Sequence, residues 1–387
     1  MGSRRSFAPQ RRKTTSCKVT QTNLRVKTLL ATSNNAPPFH VDVKLVTGKV
    51  ATGLVVAALL VVALILIAAL RPGGAPRTTS TPTSSYTQTE SQPALLKGLT
   101  FSLASYDSSG IADFFAKAQQ AGSVVEWAGD WEELDGSGAP ATVAQLSSQN
   151  DLKSMIVVQF FTQSTGQLIR PLNATNEQHY LSITADFVRQ YRPSYLGVGI
   201  EVNLLYEKNA TSFGEFVHLY QQVYAEVKSV SPETVVFTIF QLEKMNGLAG
   251  GLYGGVNDPG KAEWPLLAQF PEDDIAAFTT YPSLVYQSPS DMPSDYYTSI
   301  ASHTNRSVGF TEVGWHSGFV AGGWGSNEAE QADFVMRFFD LTSSLDRTFA
   351  VWSFLYDQNV AAPFNTMGLL YVNGTAKQSW EEWLATH

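Results

Sequence analysis

The stretch Ser307–Gly318, SVGFTEVGWHSG, decides how the chain is read. Val308, Gly309, Phe310 and Thr311 make a short buried-strand pattern that ends on an acid, Glu312. Gly314 and Trp315 break it immediately. A carboxylate at the C-terminal tip of a parallel strand is where α/β barrels place their chemistry. The surrounding sequence must then hold more strands of the same kind.

It does so from about Ala94 onward, where short β-branched or aromatic runs alternate with longer helical patterns, the mark of a parallel α/β fold. Strands are expected at Leu99–Ala104, Ser123–Trp127, Met155–Phe161, Tyr195–Glu201, Thr234–Gln241, Ile275–Tyr281, Ser307–Glu312 and Phe349–Leu355. Helices are expected in turn near Ile111–Ala121, Thr142–Ser148, Glu177–Tyr191, Ser212–Val230, Glu263–Ala268, Ser294–His303, Glu328–Ser344 and Gln378–Ala385. Eight such units over residues 94–387 suit a (β/α)8 TIM barrel. A doubly wound sheet would want a glycine-rich phosphate loop after its first strand, but that position reads LASYDSSG. With no Walker A sequence either, a nucleotide partner is not expected. The glycine-rich stretch GLAGGLYGGVNDPG (247–260) is too long for a plain turn and is expected to rim the barrel mouth.

The N-terminal quarter has a different texture. Residues 1–49 carry ten Lys/Arg against one acid, Asp42, a net +9 that leaves −17 for the rest of a chain of net charge −8. An acidic bulk argues against nucleic acid as a partner. The basic arm reads as disordered. Residues 50–70, VATGLVVAALLVVALILIAAL, contain no charge and no proline. As a helix of about 31 Å they match the apolar thickness of a bilayer and are expected to form a single transmembrane helix. The basic flank places residues 1–49 in the cytoplasm and the bulk outside. Residues 71–93 are rich in Pro, Ser and Thr and read as an extended stalk. Asn-x-Ser/Thr sequons stand at Asn173, Asn209, Asn305 and Asn373, all on the expected outer side. The single cysteine, Cys17, excludes an intramolecular disulfide and any Cys-rich zinc site. The six histidines include no HExxH, so no metal is expected.

The strand tips carry Tyr106 and Asp107, Glu126 and Trp127, Gln159, Glu201, Gln241, Tyr281, Glu312, and Trp352 with Tyr356. Aromatic faces with carboxylates and amides suit a neutral polyol, because apolar sugar faces stack and hydroxyls take directed hydrogen bonds. Lys and Arg, which a phosphorylated substrate would want, are scarce there. Glu201 and Glu312 end strands four and seven. Two carboxyl groups about 5–5.5 Å apart are the retaining-glycosidase arrangement, one serving as acid then base and the other as nucleophile. Trp315, Trp324 and Trp127 are candidate sugar platforms, and Asn203, Gln159 and His316 candidate polar contacts.

The motifs FTEVGW (310–315) and GVGIEVN (197–203) resemble the nucleophile and acid/base motifs of clan A glycoside hydrolases, in particular plant-type β-1,3-glucanases and arabinogalactan endo-β-1,4-galactanases. The resemblance implies a (β/α)8 barrel needing no cofactor, Glu312 as nucleophile and Glu201 as acid/base. It also implies Tyr281, in FTTYP, beside the nucleophile and Trp352 as an aromatic floor for the sugar. The chain departs from it at Ile200, where the family usually has Asn. The expected function is a membrane-anchored extracellular retaining hydrolase of a β-linked polysaccharide. The alternatives are a non-catalytic glycan-binding or wall-organising protein, which Ile200 motivates, and a wall-remodelling transglycosylase.

Overall fold

The computed structural model describes residues 95–386. The arm, span and stalk expected at residues 1–49, 50–70 and 71–93 lie outside the described residues. Among the described residues, no helix is long and apolar enough to cross a membrane.

The core is a ring of parallel strands: β1 (Leu96–Thr100), β2 (Val124–Asp130), β3 (Lys153–Gln159), β4 (Tyr195–Val198), β5, β6 (Ala276–Thr280), β7 (Val308–Val313) and β8 (Arg347–Trp352). Strand β5 comes in two pieces, Val235–Phe237 and Ile239–Gln241. The first pairs with β4 (Tyr195 opposite Val235) and the second with β6 (Ile239 opposite Ala277), so the ring closes through the chain itself at Thr238. The break has a polar cause. The Thr238 N–H donates to the Asp273 carboxylate at 3.1 Å and its hydroxyl to the Val198 carbonyl at 2.8 Å, where ladder bonds would otherwise run.

Alternate strand residues face inward. Val124, Met155, Val157, Tyr195, Phe237, Ile239, Ile275, Ala277, Phe349 and Val351 form the barrel interior. The residues between them, such as Val125, Ile156, Phe278 and Phe310, pack outward in the layer under the helices. Gly309 makes room for this filling: a Cβ there would stand 2.5 Å from the Phe349 ring.

The outer layer holds α1 (Ser108–Ala121), α2 (Ala139–Gln149), α3 (Ala174–Tyr191), α4 (Val202–Lys208), α5 (Ala210–Val230), α6 (Leu242–Met245), α7 (Glu328–Thr342) and α8 (Gln378–Ala385). Asp107, Asn173, Asn209 and Asn327 cap α1, α3, α5 and α7, each accepting from a backbone N–H in the first turn. The structure corrects the expected elements in several places. Strand β1 begins and ends earlier than Leu99–Ala104. The short α4 and a hairpin pairing Phe161–Thr162 with Gln167–Leu168 were not anticipated. The α-helices expected near Glu263–Ala268 and Ser294–His303 are only 3-10 turns, Trp264–Gln269 and Thr298–Ser302. Pro265 in the first, and the Pro289 and Pro293 breaks before the second, leave too few residues to propagate an α-helix.

Candidate active site

Two local backbone features bring the strand-tip carboxylates together. After β4 the chain turns through Gly199 (φ 87°) and Glu201 (φ 55°, ψ 46°) straight into α4. A left-handed glutamate is strained by about 1–2 kcal/mol. In β7 the register slips between Phe310 and Glu312 against β6, and between Phe310 and Val313 against β8. This bulge inserts one residue. Val313 therefore stays in the outer layer with Phe310, while Glu312 next to it reaches Tyr281.

Glu201 is buried, and its Oε1 accepts from Thr279 Oγ1 at 2.8 Å and from Gln241 Nε2 at 3.2 Å. Burial, reinforced by the negative charge of Glu312, raises its carboxyl from 4.5 to about 8. Burial also raises Glu312, but there the hydrogen bond donated by Tyr281 Oη favours the charged form. The two carboxyl groups thus have different surroundings. Tyr281 is held in turn: its Oη takes a hydrogen bond from Ser353 Oγ at 3.0 Å, and its backbone N–H donates to Glu243 at 2.9 Å.

Two further acids lie close by. Glu243, on α6, is fully buried and accepts from Tyr296 Oη at 2.7 Å and Thr280 Oγ1 at 3.1 Å. Burial raises its carboxyl. Glu126, on β2, is fully buried and neither carboxyl oxygen has a partner. Burial, and then the charge of Glu312, push its carboxyl well above the usual carboxylate range. Glu243 was not singled out from the sequence; Glu126 was seen as a strand-tip acid without a role. Strand parity would have pointed to Glu126, which lies two residues after the inward Val124.

The other anticipated side chains are placed as follows. Trp352 lies on the outer face of β8 against Phe334 of α7 and Trp383 of α8, and its Nε1 donates to the Met367 carbonyl at 2.8 Å. The next residue, Ser353, is the one that bonds Tyr281. Trp127 also lies in the outer layer. Trp315 is fully buried against Phe334 and donates from Nε1 to Ser326 Oγ at 3.0 Å. Trp324 is partly exposed and donates to the Ser283 carbonyl at 3.0 Å. Its ring packs on the glycine-rich 247–260 stretch, where a Cβ on Gly251 would stand 2.3 Å from it. Asn203 is buried, with Oδ1 taking the Gln241 N–H at 2.8 Å and Nδ2 donating to Glu263 at 2.8 Å. Gln159 donates to the Phe161 carbonyl and Gln163, both at 2.8 Å, at the base of the hairpin. His316 is fully buried with neither ring nitrogen partnered, and burial lowers it to about 4. Ile200 belongs to the barrel interior with Tyr195, Phe237 and Phe349. The sequon residues Asn173, Asn209, Asn305 and Asn373 are all exposed. Among the described residues, no cluster of His, Cys, Asp and Glu has metal-ligating geometry.

The sequence matches no family model and no curated protein. Solved structures do match its fold. A family 39 glycoside hydrolase from the gut symbiont Bacteroides cellulosilyticus WH2 shares 16% identity over 75% of this chain and 62% of its own, with a TM-score of 0.54. Fungal β-1,4-galactanases share 14% identity over 75% of this chain and 99% of theirs, with a TM-score of 0.56. A GH5_18 protein of Streptomyces cattleya, solved in complex with GlcNAc, shares 12% over 76% and 80%, also at 0.56. Its structural neighbours are clan A glycoside hydrolases. At such identities the likeness is one of fold. Within the barrel, Glu201, Glu312 and Tyr281 converge at the C-terminal ends of β4, β7 and β6.

Proposed function

We propose that the chain is a membrane-anchored retaining glycosidase acting on a β-linked polysaccharide. Glu201 is the acid/base and Glu312 the nucleophile. The observation that carries this reading is the unequal setting of the two carboxyl groups. Glu201, raised to about 8 by burial, keeps its proton near neutral pH and can give it to a leaving oxygen. Glu312, hydrogen-bonded by Tyr281, is the one favoured to be charged and to attack the anomeric carbon. After the glycosyl–enzyme ester forms, Glu201 takes a proton from the incoming water. The fold of the neighbours supports a carbohydrate substrate.

A mechanism-based covalent glycoside inhibitor followed by peptide mapping tests the assignment: the label belongs on Glu312. A label elsewhere, or hydrolysis that survives Glu312→Gln, sinks it. Extraction of the full chain from membranes only by detergent is the expected behaviour of the span.

A specific observation favours a second reading. Ile200, the residue before Glu201, packs into the apolar interior and offers no hydrogen bond to substrate. A glycan-binding protein without turnover is the outcome in which binding survives and no label or product forms.

A further inference from the structure

The ring of helices is thin where two expected helices are only 3-10 turns. Between Trp264–Gln269 and the turn that ends at His303 lies an open cleft of about 880 Å³. It is lined by Trp264, Pro265 and Leu267 on one side and by His303, Asn305 and Arg306 on the other. Its wall includes a stacked pair: the exposed His303 ring lies over the buried Trp264 indole, centroids 4.2 Å apart and planes within 5°. Asn305 opens the sequon Asn305-Arg306-Ser307 and immediately precedes β7, at the barrel end opposite the carboxylates.

The four sequon asparagines are not equivalent. The carboxamide oxygens of Asn173 and Asn209 cap α3 and α5, and that of Asn373 takes the Thr375 N–H at 3.0 Å. The Asn305 carboxamide makes no hydrogen bond among the described residues and stands exposed in the cleft wall. Among the described residues no contact of the fold depends on that side chain, and it adjoins a cavity with an aromatic wall. Sugar rings stack an apolar face on aromatic planes, and a polar rim meets their hydroxyls. The Arg306 guanidinium, fixed by its bond to the Pro271 carbonyl at 2.8 Å, is one such rim group.

We infer that Asn305 carries an N-linked glycan whose first sugars sit in the Trp264–His303 cleft and complete the outer wall of the barrel. In the attachment step, Asn305 Nδ2 bonds to the anomeric carbon of a lipid-pyrophosphate-linked oligosaccharide. The bond from that carbon to the phosphate oxygen breaks, the lipid pyrophosphate leaves, and Nδ2 gives up one proton. The inference rests on the outward-facing orientation of residues 95–386, and its test separates the two.

The full chain is expressed in a glycosylating eukaryotic host and its glycopeptides are mapped by mass spectrometry. Release of each glycan by peptide N-glycosidase is then timed on native and on denatured protein. The expected result is an occupied Asn305 whose glycan leaves the native protein about tenfold more slowly than that of a His303→Ala variant, because a seated glycan is cut only when it opens. His303→Ala keeps the sequon and removes the exposed ring. An empty Asn305 beside any other occupied sequon overturns this inference and leaves the orientation standing. Four empty sequons overturn both. An occupied Asn305 released equally fast from native wild type and His303→Ala overturns the seat.

Discussion

Tyr281 Oη donates to the Glu312 carboxylate and accepts from Ser353 Oγ, so a single phenol links the ends of β6, β7 and β8. Its backbone is fixed by Glu243 from α6. This hydrogen bond is what separates Glu312 electrostatically from Glu201, whose partners are a threonine hydroxyl and an amide.

Tyr281→Phe removes the donor and leaves the ring. Glu312 then loses the one interaction that lowers its carboxyl, so it ionises at higher pH. Activity that needs a charged Glu312 should fall about a hundredfold, as for other lost charge-stabilising donors, and the acid limb of kcat/KM should move to higher pH. A pH–rate profile checks this. A limb that stays in place would detach Tyr281 from the ionisation of Glu312.

Glu201 makes stability pH-dependent. Its carboxyl stands at about 8 in the fold against an ordinary 4.5, so between those values the folded chain holds a proton that the unfolded chain has lost. Stability therefore falls as pH rises through that window and levels off above it. Glu201→Gln should flatten the slope by up to about 1.4 kcal/mol per pH unit. Urea titrations at intervals from pH 5 to about 8 give the comparison. Equal slopes in the two proteins would refute the raised carboxyl.

Glu126 has two buried oxygens without partners. Glu126→Met keeps the length of the side chain and removes them, and should raise stability by about 1–3 kcal/mol, the cost of an unsatisfied buried polar group. Thermal melting of the variant tests it. No gain would mean that the carboxyl is satisfied in solution.

Gly309→Ala places a methyl 2.5 Å from the Phe349 ring and 3.0 Å from Ile275 in the barrel interior. Overpacking of this kind costs about 1–3 kcal/mol. The loss should appear in the denaturation midpoint. Gly254→Ala, where nothing stands within 4 Å of the added methyl, is a poor control because its φ of 76° adds backbone strain. Gly214→Ala, in α5 with open space, is the better one.

The sequence by itself determined the class of fold and the two glutamates at strand ends. Those are local facts: a β-prone run, the acid that stops it, and a helical pattern that follows. It did not determine which way a tip residue faces. Glu312 faces the other acids because of a bulge, Glu201 because of a left-handed turn, and Trp352 faces outward while Ser353 reaches Tyr281. With a side-chain period of two, a shift of one residue exchanges the faces, and register is set by strands distant in sequence. The same holds for the two missing helices, where prolines and packing against β6 and β7 override a helical pattern. Tertiary structure alone decided that Glu126, Glu201, Glu243 and Glu312 are neighbours, because they come from four separate segments of the chain and the burial that raises each carboxyl group exists only in the assembled barrel.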